Sequence, residues 1–152
     1  MIPESLQSKF KKFPEGEREE IYAYLSSLRP NDNKLREMLE WIHDVARRDG
    51  ISPLALLRGI QIPNLDVPQK LEFLRDSLQK VRYPRYAKKK EEFEKIIQGL
   101  KLGGKIQVIP SPFFEEGKME IRFRIGSEEE KKEIIKRLID PGWGALFEFL
   151  NQ

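Results

Sequence analysis

The chain has no cysteine in its 152 residues. That excludes a disulfide framework, thiolate chemistry and any cysteine-ligated metal. It has a single histidine, His43. A metal would need two or more further ligands and a catalytic dyad needs a partner, so His43 is assigned to the surface or its boundary. No apolar run approaches the roughly 20 residues that span a bilayer. The opening Met1-Ile2-Pro3-Glu4-Ser5 has neither the basic nor the apolar region of a signal peptide, and a cytoplasmic protein without a membrane partner is expected. A phosphate-cradling glycine loop, a Gly-x-Ser-x-Gly elbow and a spaced acidic metal motif are also missing. Carboxylates are plentiful but lie among lysines, as on a solvated surface. No enzymatic activity, cofactor or metal is expected.

Hydrophobic residues at 39% are enough for a packed core, while charged residues at 35% exceed average usage. The length fits one domain, or one domain with a small appendage. The formal charge of +3 is unevenly spread. Residues 1–79 hold 12 basic and 13 acidic side chains, a net of −1, whereas residues 80–152 hold 16 and 12, a net of +4. Any electrostatic footprint therefore belongs to the second half.

Proline and glycine punctuate a mostly helical pattern. Helices are predicted over Glu15–Leu28, over Lys34–Asp49 (capped by Asp32 or Asn33 and closed by Gly50), from Ser52-Pro53 to Gly59, and over Gln69–Arg82. Residues 60–68, with prolines at 63 and 68, read as a connector. They divide a helical subregion, 1–66, from a second region, 67–152. Tyr83-Pro84 breaks the helix before it, and a further helix runs from about Arg85 to Leu100.

Alternation then predicts two strands, Lys105–Ile109 and Lys118–Ile125. In the second, Met119, Ile121, Phe123 and Ile125 face one way and Glu120, Arg122 and Arg124 the other. Ser127-Glu128-Glu129-Glu130 is a capping box opening a helix to Ile139 with Ile134, Ile135 and Leu138 apolar. A short apolar tail, Ala145–Leu150, ends the chain. The expected fold class is α+β, mostly helical, with a helix–hairpin–helix unit after the helical subregion.

Two constellations point to binding. The first is Lys80-Val81-Arg82-Tyr83-Pro84-Arg85-Tyr86-Ala87-Lys88-Lys89-Lys90, six cations with no acid among them and two tyrosines between. Lysine and arginine displace counterions from phosphates, and aromatic rings stack on bases or pack beneath the charges. The ordinary alternative is a solvated face in which Lys88, Lys89 and Lys90 pair with Glu91, Glu92 and Glu94. Lys80, Arg82 and Arg85 are expected to be available to a ligand at the bend, and Arg122 and Arg124 to extend the patch. The second constellation is the hairpin, marginal by itself and left with an exposed edge. Pairing with a second copy makes a four-stranded sheet, with Met119, Ile121, Phe123, Ile135 and Leu138 at the interface. Cover by the chain's own helices is the alternative.

The run Glu92-Phe93-Glu94-Lys95-Ile96-Ile97, Gly104-Lys105-Ile106-Gln107-Val108, Gly117-Lys118-Met119-Glu120-Ile121-Arg122-Phe123, Ser127-Glu128-Glu129-Glu130 and Ile134-Ile135-Lys136-Arg137-Leu138 resembles the C-terminal domain of ParB-type partition proteins. The resemblance spans about residues 88–139 and is one of pattern. It implies homodimerisation through hairpin and helix and a lysine-rich surface that binds DNA without sequence preference. The arginine-rich nucleotide-binding motif of that family's N-terminal domain is missing, with Gly16-Glu17-Arg18-Glu19 only an echo. Nucleotide binding and site-specific partition are not carried over.

A homodimer binding nucleic acid, DNA more than RNA, is thus the leading expectation. Its rival is a protein–protein adaptor that docks through Phe113, Phe114, Trp143 and Phe147. Lys34–Gly59 has the outline of a helix-turn-helix, but its second helix is mostly leucine with one arginine, Arg58, which suits a core better than base readout.

Overall fold

The computed structural model describes all 152 residues. The chain forms eight α-helices and one two-stranded antiparallel hairpin, so the fold is α+β and mostly helical. It divides into two compact units, Met1–Pro84 and Arg85–Gln152. No helix is long and apolar enough to cross a membrane.

The first unit is all helical: α1 (Glu4–Phe10), a 3-10 turn (Glu15–Glu17), α2 (Arg18–Ser27), α3 (Asp32–Asp49), α4 (Pro53–Gly59) and α5 (Val67–Arg82). Its centre is α3, against which α1, α4 and α5 pack. The Asn31 side chain, not Asp32 or Asn33, caps α3 by accepting from the Lys34 amide at 2.9 Å. Gly50 closes it in the left-handed conformation, φ 65°, which costs glycine nothing. A capping box between Asp66 and Gln69 starts α5. Leu35, Met38, Leu39, Ile42 and Val45 of α3 meet Ile21 and Leu25 of α2, Leu56 and Leu57 of α4, and Leu71, Leu74 and Leu78 of α5. Burying each such side chain stabilises by about 1.5–3 kcal/mol.

The expected division near residue 66 gives way to one at Pro84. Helix α5 buries its leucine stripe in the first core and is tied to α3 by Arg75–Glu37, Lys34–Glu72 and Arg82–Asp44. The chain leaves the unit at Tyr83, which Pro84 drives out of the helical region to φ −126°, ψ 67°. Helix α1 is an element that the sequence patterns above do not include, although Ile2, Leu6 and Phe10 stand at helical spacing. Ile2 and Phe10 are buried, as are Phe13 and Trp41.

The second unit contains α6 (Pro84–Leu100, whose proline closes the first unit), β1 (Ile106–Pro110), β2 (Met119–Phe123), α7 (Glu128–Leu138) and α8 (Trp143–Leu150). The hairpin register pairs Ile106 with Phe123, Val108 with Ile121 and Pro110 with Met119 on one face. Gln107 and Arg122, and Ile109 and Glu120, oppose each other on the other. No third strand joins, so both strands keep a free edge. Ser127 caps α7 through the Glu130 amide, and Glu130 reaches back to the Gly126 amide. The second core is Phe93, Leu102, Ile106, Phe114, Ile134, Trp143, Leu146, Phe149 and Leu150. The apolar tail is therefore a helix folded into that core.

Candidate nucleic-acid interface

The basic stretch Lys80–Lys90 runs from the first unit into the second, and its cations fare differently in each. Lys80 sits 2.8 Å from Asp76, one helical turn back on α5. Arg82 holds Asp44 of α3 at 3.0 and 3.1 Å and lies 4.8 Å from the Tyr83 ring centre. Neither is available in the way expected. The signals against them were an acid four residues upstream and another that only the fold brings near. Tyr83 packs edge-on against Trp41 in the first unit.

In the second unit, Arg85, Lys88 and Lys89 are exposed or partly so and Lys90 is half-buried on the first turns of α6. None has a carboxylate within 4.0 Å, and the pairs expected with Glu91, Glu92 and Glu94 are not formed. Glu91 instead meets Lys95. Arg85, Lys88 and Lys89 share one face by their spacing. The first turn of α6 holds no acid. Cations there oppose the positive end of the helix dipole, a placement that costs some tenths of a kcal/mol each.

The hairpin cations divide in the same way. Arg122 is engaged by Glu120, two residues along the strand. That hydrogen bond lowers the Glu120 carboxyl below its usual range and raises the Arg122 guanidinium. Arg124 has no such partner. Both line a broad open groove of about 1000 Å³ beside β2, with Lys105, Phe123, Ile125 and Glu130. Hydrogen bonds from the Gly126 amide and then from Lys105 lower the Glu130 carboxyl.

Of the five residues expected at a dimer interface, Met119, Ile121 and Leu138 pack onto the second core. Phe123 and Ile135 remain exposed, with Ile125 and Ile139 beside them in sequence pattern. The rival docking set splits too. Phe114 and Trp143 are buried in the core, and the Trp143 indole donates to the Arg137 carbonyl at 2.8 Å; Phe113 and Phe147 are exposed. Phe114 touches Phe93 and Phe149, each with ring centres 5.4 Å away, while Phe113 lies on Tyr86 at 4.8 Å. The Ser111 hydroxyl closes the connecting loop, donating to the Glu116 carbonyl and accepting from its amide, both at 3.0 Å.

Elsewhere, α4 buries Pro53, Leu56 and Leu57 and its Arg58 pairs with Glu20, so this helix offers no reading face. His43 is half-buried, edge-on to Phe13 and 3.5 Å from Asp44. No group of three or more His, Asp or Glu side chains is placed to hold a metal. Comparison with protein-family models, curated proteins and solved structures found no match to the chain.

Proposed function

We propose that this chain is a non-enzymatic nucleic-acid-binding protein that grips phosphates through the start of α6 and works as a homodimer, as the ParB-type resemblance implies. The carrying observation is the run Arg85, Lys88, Lys89 and Lys90, four cations with no carboxylate in reach on the end of a helix that disfavours them. Such a surface lowers its own electrostatic energy by taking up a polyanion and releasing its counterions. Nothing in it selects bases, so the contacts would be independent of sequence. Arg124 is a candidate extension; Lys80, Arg82 and Arg122 are withdrawn from the set because carboxylates occupy them.

Dimerisation has separate support. The second unit is a small domain with a free-edged hairpin and with Phe123, Ile125, Ile135 and Ile139 exposed. The text of β2 is self-complementary. In antiparallel pairing about Ile121, Glu120 of each copy opposes Arg122 of the other and Met119 opposes Phe123, pairs of the kind that stabilise sheets.

The test is binding of a fluorescent duplex and a matched single-stranded RNA across a salt series. Wild type should show a steep log–log salt slope. Arg85→Glu/Lys88→Glu/Lys89→Glu should flatten it by about one unit for each phosphate no longer held, while Arg82→Ala should leave it unchanged. No binding at about 50 mM salt overturns the proposal.

A further inference from the structure

We infer that the loop Leu102-Gly103-Gly104, with Arg137 and Lys105, is a binding site for a single phosphoryl group. The loop follows α6 at the end away from the basic run; Arg85 and Leu100 lie roughly 20 Å apart along the helix axis. The site is therefore separate from the cations invoked above and does not need the nucleic-acid reading. It is a cleft of about 150 Å³ lined by Leu102, Gly103, Gly104, Lys105, Glu133 and Arg137 among others. Small-molecule pockets run to roughly 300–1,000 Å³, so this one has room for a phosphate but not for a nucleoside.

Donors come first. The backbone amides of Leu102, Gly103 and Gly104 donate to no protein acceptor. Two glycines in succession also leave the backbone open to close approach. A Cβ on Gly103 would stand 3.3 Å from Arg137 Nη1. Arg137 itself is fixed in place: Nη1 donates to the Lys101 carbonyl at 2.7 Å and Nη2 to Glu133 at 3.1 Å. A guanidinium has five N–H donors, so three remain, on a side chain that is 37% exposed. Backbone strain falls at the same place. Lys101 has φ 50° and Gly103 φ 70°, a left-handed turn that disfavours the lysine and that the Arg137 bond to its carbonyl holds. Conformations of this kind cluster at ligand clamps.

Charge favours an anion. Lys101, Lys105 and Arg137 outnumber by one the carboxylates they meet, Glu130 on Lys105 and Glu133 on Arg137. The C-terminal end of α6 opposes an anion, but the guanidinium already covers the Lys101 carbonyl there. A phosphoryl group spreads its oxygens around one centre and can accept from amides, guanidinium and ammonium together. A planar carboxylate has two oxygens and satisfies fewer of them. The long glycine motifs that cradle phosphates are missing from this chain, and Gly103-Gly104 alone reads as a turn; the fold brings Arg137 to it from 36 residues beyond Lys101.

The experiment follows the Gly103 and Gly104 amide resonances of the full chain by NMR, with inorganic phosphate titrated against chloride at equal ionic strength. Phosphate should shift both to saturation and chloride should not. Arg137→Gln should weaken phosphate binding roughly 10- to 100-fold, the size of a hydrogen bond to a charged group. Glu133→Gln should tighten it by up to about fivefold, since a carboxylate beside the anion is removed; misfolding cannot produce such a gain. If a 5′-phosphorylated oligothymidylate shifts these amides and its 5′-hydroxyl counterpart does not, the phosphoryl group belongs to a strand end. If neither strand shifts them while inorganic phosphate does, it belongs to a free phosphate or small ester. Wild-type amides that respond to phosphate no more than to chloride overturn the site, as does a response that Arg137→Gln leaves unchanged. Neither result touches the α6 cations, which the salt series reads separately.

Discussion

The two units solve the problem of burial differently. In the first, five helices seal Phe10, Ile21, Leu25, Met38, Leu39, Ile42, Leu57, Leu74 and Leu78 almost completely from solvent, whereas in the second only Ile134 and Leu146 reach that state. The first ties its helices with ion pairs across elements: Lys34–Glu72, Arg58–Glu20, Arg75–Glu37 and Arg82–Asp44. The second pairs mostly within one helix or strand and leaves its densest cation run unpaired. It also exposes Phe113, Phe123, Ile125, Ile135, Ile139 and Phe147. A small domain buries a modest fraction of its surface and is correspondingly marginal. On the function proposed above, the first unit has a structural task and the second a contact task.

The largest effects should come from the cores. Leu74→Ala should cost about 2–5 kcal/mol, with the fall in amide-exchange protection concentrated in α2 to α5; an equal fall in α7 and α8 would erase the distinction between the units. Trp143→Ala should cost about 3–5 kcal/mol by thermal unfolding, as a core residue does. Unchanged stability would return Trp143 to the docking role expected from sequence.

Next in size is the exposed apolar surface. Phe123→Glu should leave the fold intact by circular dichroism and shift the chain to monomer in sedimentation. Sedimentation of wild type as a monomer would mean that the hairpin is sufficient as it stands.

Smaller still, Phe113→Gly should change stability by no more than about 1 kcal/mol, because relief of the left-handed strain offsets the packing on Tyr86 that the variant gives up. A cost well above that, by denaturant titration, would make the ring a packing element.

The smallest effect is that of pH. A hydrogen bond from Lys34, with the nearby Arg75 guanidinium, lowers the Glu72 carboxyl. A lowered folded value means stability that is complete above the unfolded glutamate value, about 4.3, and lost as pH falls through the folded one. Glu72→Gln should therefore blunt the acid destabilisation of the first unit, read by amide exchange between about pH 5 and 3.

Much of this was legible in the chain. The stripes Leu35–Ala46 and Leu71–Leu78, the Ser127 cap and the alternation around Ile121 name their elements because helix and strand periods are written locally. What was not legible depends on pairing at a distance. Asp44 and Arg82 are 38 residues apart, and nothing in the basic run says that one of its cations is engaged. Phe113 and Phe114 are chemically identical neighbours, yet the loop buries one and exposes the other. The break at Tyr83-Pro84 was visible as a bend, but its rank as the division between units follows from where α5 buries its leucines. Asp76 could have been found, since it stands one turn before Lys80.

The clasp between Ser111 and both backbone groups of Glu116 bears on kinetics. A six-residue segment closed on itself in this way has given up its freedom during folding, so the loop is already ordered when the folded chain meets a partner. Association should then follow a single exponential whose rate rises linearly with concentration, without the plateau that a loop rearrangement imposes. In Ser111→Ala the same equilibrium complex would form through a slower, saturating step.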